Sequence, residues 1–298
     1  VTGEFRAALL ASGLLFEAGV EGLYARSGTF EKVVRGIDDL VTSAGADQHA
    51  PSLHFPPIIP RAVLERSSYL RSFPDMLGSI DVFEGGDDLH IELLERLERG
   101  DSWAELLTAS DVTLCSAACH PLYPLCSGRL PAGGRRFEIF GQCFRYEPSL
   151  DPARMLAFRQ HEFVYLGDPA GAVAHRDVWL ERSAHLLSGL GLDVDTVVAN
   201  DPFFGRAGRM LASNQRAEEL KYEVVCTIDP AAAPTAVSSS NYHVDLFGTG
   251  FGIESASGEA AHSACVGFGV ERITLALLAT HGLDPDSWPV QVRSRLWP

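Results

Sequence analysis

Lysine is nearly absent from this chain. Lys32 and Lys221 stand alone, and the rest of the positive charge is arginine. Acidic residues number 39 against 24 basic ones, a formal charge of −15. A sequence-independent hold on a phosphate backbone needs a basic face, and none stands out. Arginine instead suits forked contacts to small anions at chosen points. Long apolar runs are also missing: none reaches the roughly 18 residues of a membrane span, and no secretory leader is visible. There is no CxxC pair, no P-loop, no early strand followed by GxGxxG and no HExxH. These absences argue against P-loop and Rossmann nucleotide sites and against a common type of zinc hydrolase. Six cysteines without a leader read as reduced thiols of a cytoplasmic protein. Any metal site would have to be assembled from distant segments.

What is present is a 46% apolar chain of 298 residues, enough for a sizeable core. No repeat or low-complexity linker divides it. Glu4–Tyr24 and Phe30–Ala44 are predicted as two helices, with Thr29 as N-cap of the second. PSLHFPPIIP is too proline-rich for a central strand and reads as an extended edge. Asp87–Arg99 has the pattern of an acidic amphipathic helix, and DVTLCSAACHPLYPLC that of a strand running into a turn. Arg136–Arg145 and Met155–Leu166 are predicted strands, Ala172–Leu190 a helix, and LDVDTVVAND a strand. Further strands are expected at Glu223–Ile228, Thr235–Asp245 and Gly250–Ser255, with a helix from Gly269. Hairpin-type strands with helices around them predict an α+β domain on an antiparallel sheet.

In AHSACVGFGVERITLALLATHG, Ala261–Gly282, Glu271 and Arg272 follow two glycines and open an apolar helix. A helix N-terminus already carries unpaired N–H groups and partial positive charge. An arginine placed there calls for an anion. The second informative stretch is FGQCFRYEPSLDPARMLAFRQHEFVYLG, Phe140–Gly167. Alternation puts Arg145 and Glu147 on one strand face; after the loop, Arg159, His161 and Phe163 alternate against Phe158, Gln160 and Glu162. Taken singly, Arg145 with Glu147 reads as a solvated pair, His161 as a hydrogen-bonded structural residue, and each cysteine as a small hydrophobe.

Taken in order, FRYE, FRQHEF and GFGVER resemble motifs 2 and 3 of the class II aminoacyl-tRNA synthetase catalytic domain. The resemblance implies that Arg145 holds the α-phosphate of ATP, Glu147 contacts the adenine side, Phe163 stacks on the base and Arg272 clamps the γ-phosphate. It also implies a class II synthetase-like antiparallel sheet flanked by helices. Positioning and charge neutralisation are what such adenylyl transfer needs. A magnesium-holding glutamate common in that family, on the strand before motif 3, has no counterpart in APTAVSSSN. Mg2+ is still expected with ATP.

A narrower resemblance, to the atypical seryl-tRNA synthetases of methanogens and their shortened homologues, the amino acid:[carrier protein] ligases, rests on SAACHPLYP, RQHEFV and AHSACVGFGVER. It implies that Cys119, Glu162 and Cys265 hold Zn2+ with an open fourth position, a catalytic kind of site, where a neutral substrate α-amine would bind. YLRSFPDMLGSI, NDPFFGRAGRMLASNQRAEELKYEV and SSSNYHVDLFGTGFGI extend it over nearly the whole chain. Asp201, Lys221, Glu223 and Asn241 are placed around the substrate pocket, although Lys221 and Glu223 equally fit a surface pair across a strand.

The resemblance therefore predicts one catalytic domain, 1–298, without a tRNA-binding domain. It would make an aminoacyl-adenylate of a small amino acid, glycine or alanine, and pass it to the phosphopantetheine thiol of an acyl or peptidyl carrier protein. A basic patch at Arg61, Arg66 and Arg71 would dock the acidic carrier. A homodimer through the N-terminal helix and PSLHFPP is expected, tRNA is disfavoured by the charge, and no membrane is expected. The alternatives are the catalytic part of a seryl-type tRNA ligase and a non-catalytic amino-acid sensor.

Overall fold

Seven strands form the central sheet of the computed structural model, which describes residues 3–298. They are β1 (Ser52–Phe55), β2 (Arg135–Phe144), β3 (Ala157–Gly167), β4 (Val194–Val198), β5 (Lys221–Cys226), β6 (Thr235–Tyr242) and β7 (His262–Gly269). Their spatial order is β4-β5-β6-β7-β3-β2-β1. Every neighbouring pair is antiparallel except β1 with β2, so the proline-flanked Ser52–Phe55 segment is indeed an edge. The α+β class holds, with β2 and β3 as the long central hairpin in register from Arg135↔Leu166 to Phe144↔Ala157.

One face of the sheet is closed by helices. These are α1 (Gly28–Ala44), α3 (Pro169–Ser188) and α5 (Val270–His281); α2 (Asp87–Arg99) and α4 (Gly205–Ala217) lie elsewhere, α4 beside the opposite face. Apolar side chains of α1, α3 and α5 (Phe30, Ile37, Trp179, Leu187, Ile273, Leu277) share one core with Phe163, Val266 and Phe268 of the sheet. The starts of α1 and α3 are fixed by capping: Ser27 accepts from the N–H of Phe30, and Asp168 accepts from that of Gly171 with Pro169 just inside. A second apolar cluster, on Ile139, Val164, Tyr123 and Phe251, supports the other face. A small antiparallel sheet of Ile58–Pro60, Thr108–Leu114 and Ser79–Val82 lies beside it in sequence and carries α2 between two of its strands.

Three expectations are corrected. The segment Glu4–Tyr24 is not one helix: the helix ends at Ala11, Gly13 turns the chain at φ 68°, and Leu15–Glu17 pairs with Tyr24–Arg26. The cap of α1 is Ser27, not Thr29. Gly250–Ser255 holds a strand only at Ile253–Glu254, because Leu246–Phe251 closes into a helical turn. Strand β7 and helix α4 were not anticipated. No helix among the described residues is long and apolar enough to cross a membrane.

Candidate active site

Because side chains alternate along a strand, β3 divides its residues between two environments. Phe158, Gln160 and Glu162 line a cavity of about 640 Å³. Arg159, His161 and Phe163 point to the helix-covered side, against α1 and α3. Neighbouring strands complete the cavity with Cys265 and Gly267 of β7, Ser239 and Asn241 of β6, and Lys221 and Glu223 of β5. The glycines of the opening motif keep its floor open. A Cβ on Gly267 would lie 3.6 Å from Glu162 and one on Gly269 3.7 Å from Arg272, ordinary contacts that no protein atom forbids. A ligand lying on that floor would be obstructed by them.

Two guanidiniums enter this space. Arg145, just beyond β2, donates from Nε to the carbonyl of Ser116 (3.2 Å) and lies 5.4 Å from the centre of the Phe158 ring. Arg272, in the first turn of α5, donates from Nε to the carbonyl of Ala153 (2.8 Å) and from Nη1 to that of Ala236 (3.0 Å). Among the described residues neither forms an ion pair with a carboxylate. Burial, then the charges of Arg145 and Arg154, pull the Arg272 pKa below its ordinary value, which is what an unmatched cation in a desolvated place shows. Glu147 is in the same cavity and pairs with Arg154 at 3.3 Å.

Cys119, Glu162 and Cys265 come together from three segments, with one donor atom of each within 4.8 Å of the others. All three are at least 95% buried, and Oε2 of Glu162 has no hydrogen-bond partner. Burial first, then Cys265, pushes the Glu162 carboxyl well above its usual range. The Cys119 thiol, His243 and Asn241 hold Cys265 well below the usual thiol value. Two sulfurs and a starved carboxylate without a cation fit a zinc-type donor set, whose tetrahedral ligands stand about 3.5–3.8 Å apart. These residues could hold such a metal. His243, unmarked by the sequence motifs, puts Nε2 3.5 Å from Cys265 Sγ while its Nδ1 meets Ser263 Oγ at 3.0 Å. The only hint was its place two residues beyond Asn241, the parity that puts both on the cavity face.

The remaining expected residues also line the cavity, though most are already engaged. Lys221 Nζ lies 2.6 Å from Asp201 and 3.0 Å from Glu223, so the pair read across the strand is real but faces inward. Burial opposes the lysine charge, yet the two carboxylates overcome it and raise the Lys221 pKa. Gln215 of α4 holds Asp201 a second time at 2.8 Å. Asn241 donates to Cys265 at 3.6 Å, a hydrogen bond to sulfur.

Phe163 is not brought to this cavity. It is 2% exposed, stacks on Trp179 at 4.3 Å and sits against Gly45, where a Cβ would collide with its ring. The return-strand aromatic that does face the cavity is Phe158. Tyr69, His120 and Phe247 add a wall of rings beside the sulfurs: His120 is 5.8 Å from Tyr69 and 6.0 Å from Phe247, centre to centre. Burial, then Arg145, lowers the His120 pKa to about 3, so this ring is neutral.

No family model matches the chain. It is 40% identical over 292 residues to amino acid:[acyl-carrier-protein] ligase 1 of Bradyrhizobium diazoefficiens, spanning 96% of this chain and 88% of that protein. Ligase 2 of the same organism is 41% identical over 289 residues, spanning 96% and 86%. The type-2 serine–tRNA ligase of Methanopyrus kandleri is 28% identical over 269 residues, covering 81% of this chain but only 50% of that one. Among solved structures, the M. kandleri SerRS bound to A. aeolicus tRNASec superimposes with a TM-score of 0.82 over 99% of this chain and 60% of its own, at 22% identity. That likeness fixes the fold as a class II synthetase catalytic domain.

Proposed function

The chain belongs to the amino acid:[acyl-carrier-protein] ligases, ATP-dependent enzymes, and we propose that it activates a small amino acid, glycine or alanine, as the adenylate and transfers it to a carrier protein. One observation carries this reading. A single cavity sets two guanidiniums without carboxylate partners opposite a buried Cys–Glu–Cys donor set with an unsatisfied oxygen.

Arg145 and Arg272 would neutralise the triphosphate, with Phe158 stacking on the base and Glu147 close by. Zinc held by Cys119, Glu162 and Cys265 would supply a Lewis acid for a neutral α-amine, and Mg2+ would accompany ATP. The substrate carboxylate then attacks the α-phosphorus, the bond to the bridging oxygen breaks, and pyrophosphate leaves. Arg145 and Arg272 match the charge that shifts along the phosphates. The pantetheine sulfur next attacks the adenylate carbonyl, forming the thioester; AMP leaves and the thiol proton is released. The rings of Tyr69, His120 and Phe247 beside the sulfurs would bound the end of the cavity that takes the amino-acid side chain.

Carrier docking would use Arg71 at the cavity rim and Arg61; Arg66 is partly spent, donating to the carbonyl of Gly250 and lying over Phe251. We also read residues 1–298 as one catalytic domain, cytoplasmic, dimeric through α1 and the β1 edge, and without a tRNA role. The deciding experiment is amino-acid-dependent exchange of pyrophosphate into ATP, screened across the common amino acids on metal-loaded protein. Exchange with one or two small amino acids is the expected result. No exchange on protein that holds metal would overturn the reading.

A further inference from the structure

The helix-covered side of β3 carries charges that the reaction above does not use. Arg159 donates from Nε to Glu271 Oε1 at 2.6 Å, and its backbone N–H donates to Glu271 Oε2 at 2.8 Å. Its Nη1 and Nη2 fork onto the two oxygens of Glu31 in α1 at 2.7 and 2.9 Å. Arg26 closes the ring, 3.1 Å from Glu31 and 3.2 Å from Glu271. Two cations and two anions thus join the N-terminal hairpin, α1, β3 and the first turn of α5.

Desolvating four charges is a poor way to gain stability, since packed apolar side chains do as well or better. What the ring does supply is direction. Gly269 precedes α5 and gives it no side-chain cap, so that first turn is held by Glu271 on Arg159 and Arg26, together with the bonds of Arg272 to the carbonyls of Ala153 and Ala236. Glu271 and Arg272 are consecutive, about 100° apart around the axis. Fixing Glu271 against Arg159 and Arg26, where it is 3% exposed at the edge of the cavity, therefore helps aim Arg272 into it. A rotation of roughly 10° would carry a guanidinium 8–9 Å from the axis by about 1–2 Å, and a 1 Å misplacement can cost about 100-fold.

We propose that Arg159, clamped by Glu31 of α1, is a positioning residue for Arg272, so that ATP capture depends on how α1 is seated. This rests on the reading that Arg272 binds ATP. Arg159 and Glu31 lie outside the cavity lining and act through the setting of one helical turn.

The test measures binding of a non-hydrolysable ATP analogue, the amino-acid KM in pyrophosphate exchange, bound metal and the thermal midpoint. Arg159→Met should weaken the analogue about tenfold or more, and Glu31→Gln about threefold, with amino-acid KM and bound metal unchanged. Arg159→Lys, which keeps the charge but cannot fork onto both carboxylates, should fall between wild type and Arg159→Met. Unchanged analogue affinity in folded Arg159→Met overturns the proposal, as does a parallel loss of ATP, amino acid and metal, which marks general loosening. If Arg159→Met does not fold, Glu31→Gln is combined with Arg272→Ala. No further loss of analogue affinity beyond Arg272→Ala supports the coupling, and an additive loss overturns it. Arg272→Ala alone with wild-type affinity would instead break the ATP reading itself.

Discussion

On one face of β3, Glu162 is buried with an oxygen that no group among the described residues satisfies, and the nearby guanidiniums of Arg145 and Arg272 form no ion pair with a carboxylate of those residues. On the other face, Arg159 is forked between Glu31 and Glu271, and His161 lies 3.2 Å from Asp38 and 3.0 Å from Glu138. The same strand thus carries unmatched charge above and matched charge below. Burying an unmatched group is costly, and a fold keeps such groups where a ligand will complete them. The matched groups are architectural: Glu31, Asp38 and Thr42, at i, i+7 and i+11 on one side of α1, meet Arg159, His161 and Glu138. Function is legible from the shortfall, architecture from the balance.

The largest break in this comparison should come from the upper face. Arg272→Ala removes a cation that forms no ion pair among the described residues, so it should cost adenylate formation about 10³–10⁴-fold, some 4–5.5 kcal/mol, while the thermal midpoint changes little and metal is retained. Pyrophosphate exchange, a thermal melt and elemental analysis of one preparation check all three. Near-normal exchange would mean that the open guanidinium is not waiting for ATP. Cys265→Ser should come next, at about 10³-fold in exchange, with bound metal lost in step. A variant that keeps its metal would remove Cys265 from the donor set.

The lower face is probed by pH. His175 of α3 donates from Nε2 to the carbonyl of Phe163 at 3.0 Å. Burial depresses its pKa to about 4, against about 6.5 in the unfolded chain. The native state therefore binds fewer protons there than the unfolded state. The contribution is full above pH 6.5, is lost as pH falls toward 4, and changes no further below that. Its size is up to about 3 kcal/mol. His175→Gln keeps a donor and removes the titration, so the difference between the two urea-stability curves should slope between pH 6.5 and 4 and be flat at neutral pH. A flat difference throughout would mean that this ring is not buried neutral.

Much of this was readable in the sequence. The β2–β3 hairpin was visible as two strands around YEPSLDPA, and the Cys–Glu–Cys set followed from three short segments matched to a family pattern. Misreadings came where a local pattern had two physical outcomes. LLASGLLFEAG has enough apolar residues to continue a helix, but Gly13 at φ 68° takes the chain into a hairpin. AHSACVGFG was given no strand, since its small residues carry little strand propensity, yet between β3 and β6 it is a buried strand. His243 carried no motif of its own; only the pairing of β6 with β7 brings it to Cys265.

Phe163 was a different kind of error, since strand parity already contradicted it. If Glu162 faces the cavity, its neighbour cannot. The smallest test uses that parity directly, by making the same change on each face. Phe158→Leu should raise the KM for ATP by about three- to tenfold with little loss of stability, because the ring it removes lines the cavity beneath Arg145. Phe163→Leu should leave the KM for ATP alone and lower unfolding free energy by about 1–2 kcal/mol, because it opens space between Trp179 and Gly45. The first effect amounts to about 0.6–1.4 kcal/mol and the second to about 1–2 kcal/mol; what matters is that they land on different observables. If both substitutions moved ATP affinity equally, the two faces would not be separate in function, and the adenine would have to sit where the ring of Phe163 now fills the core.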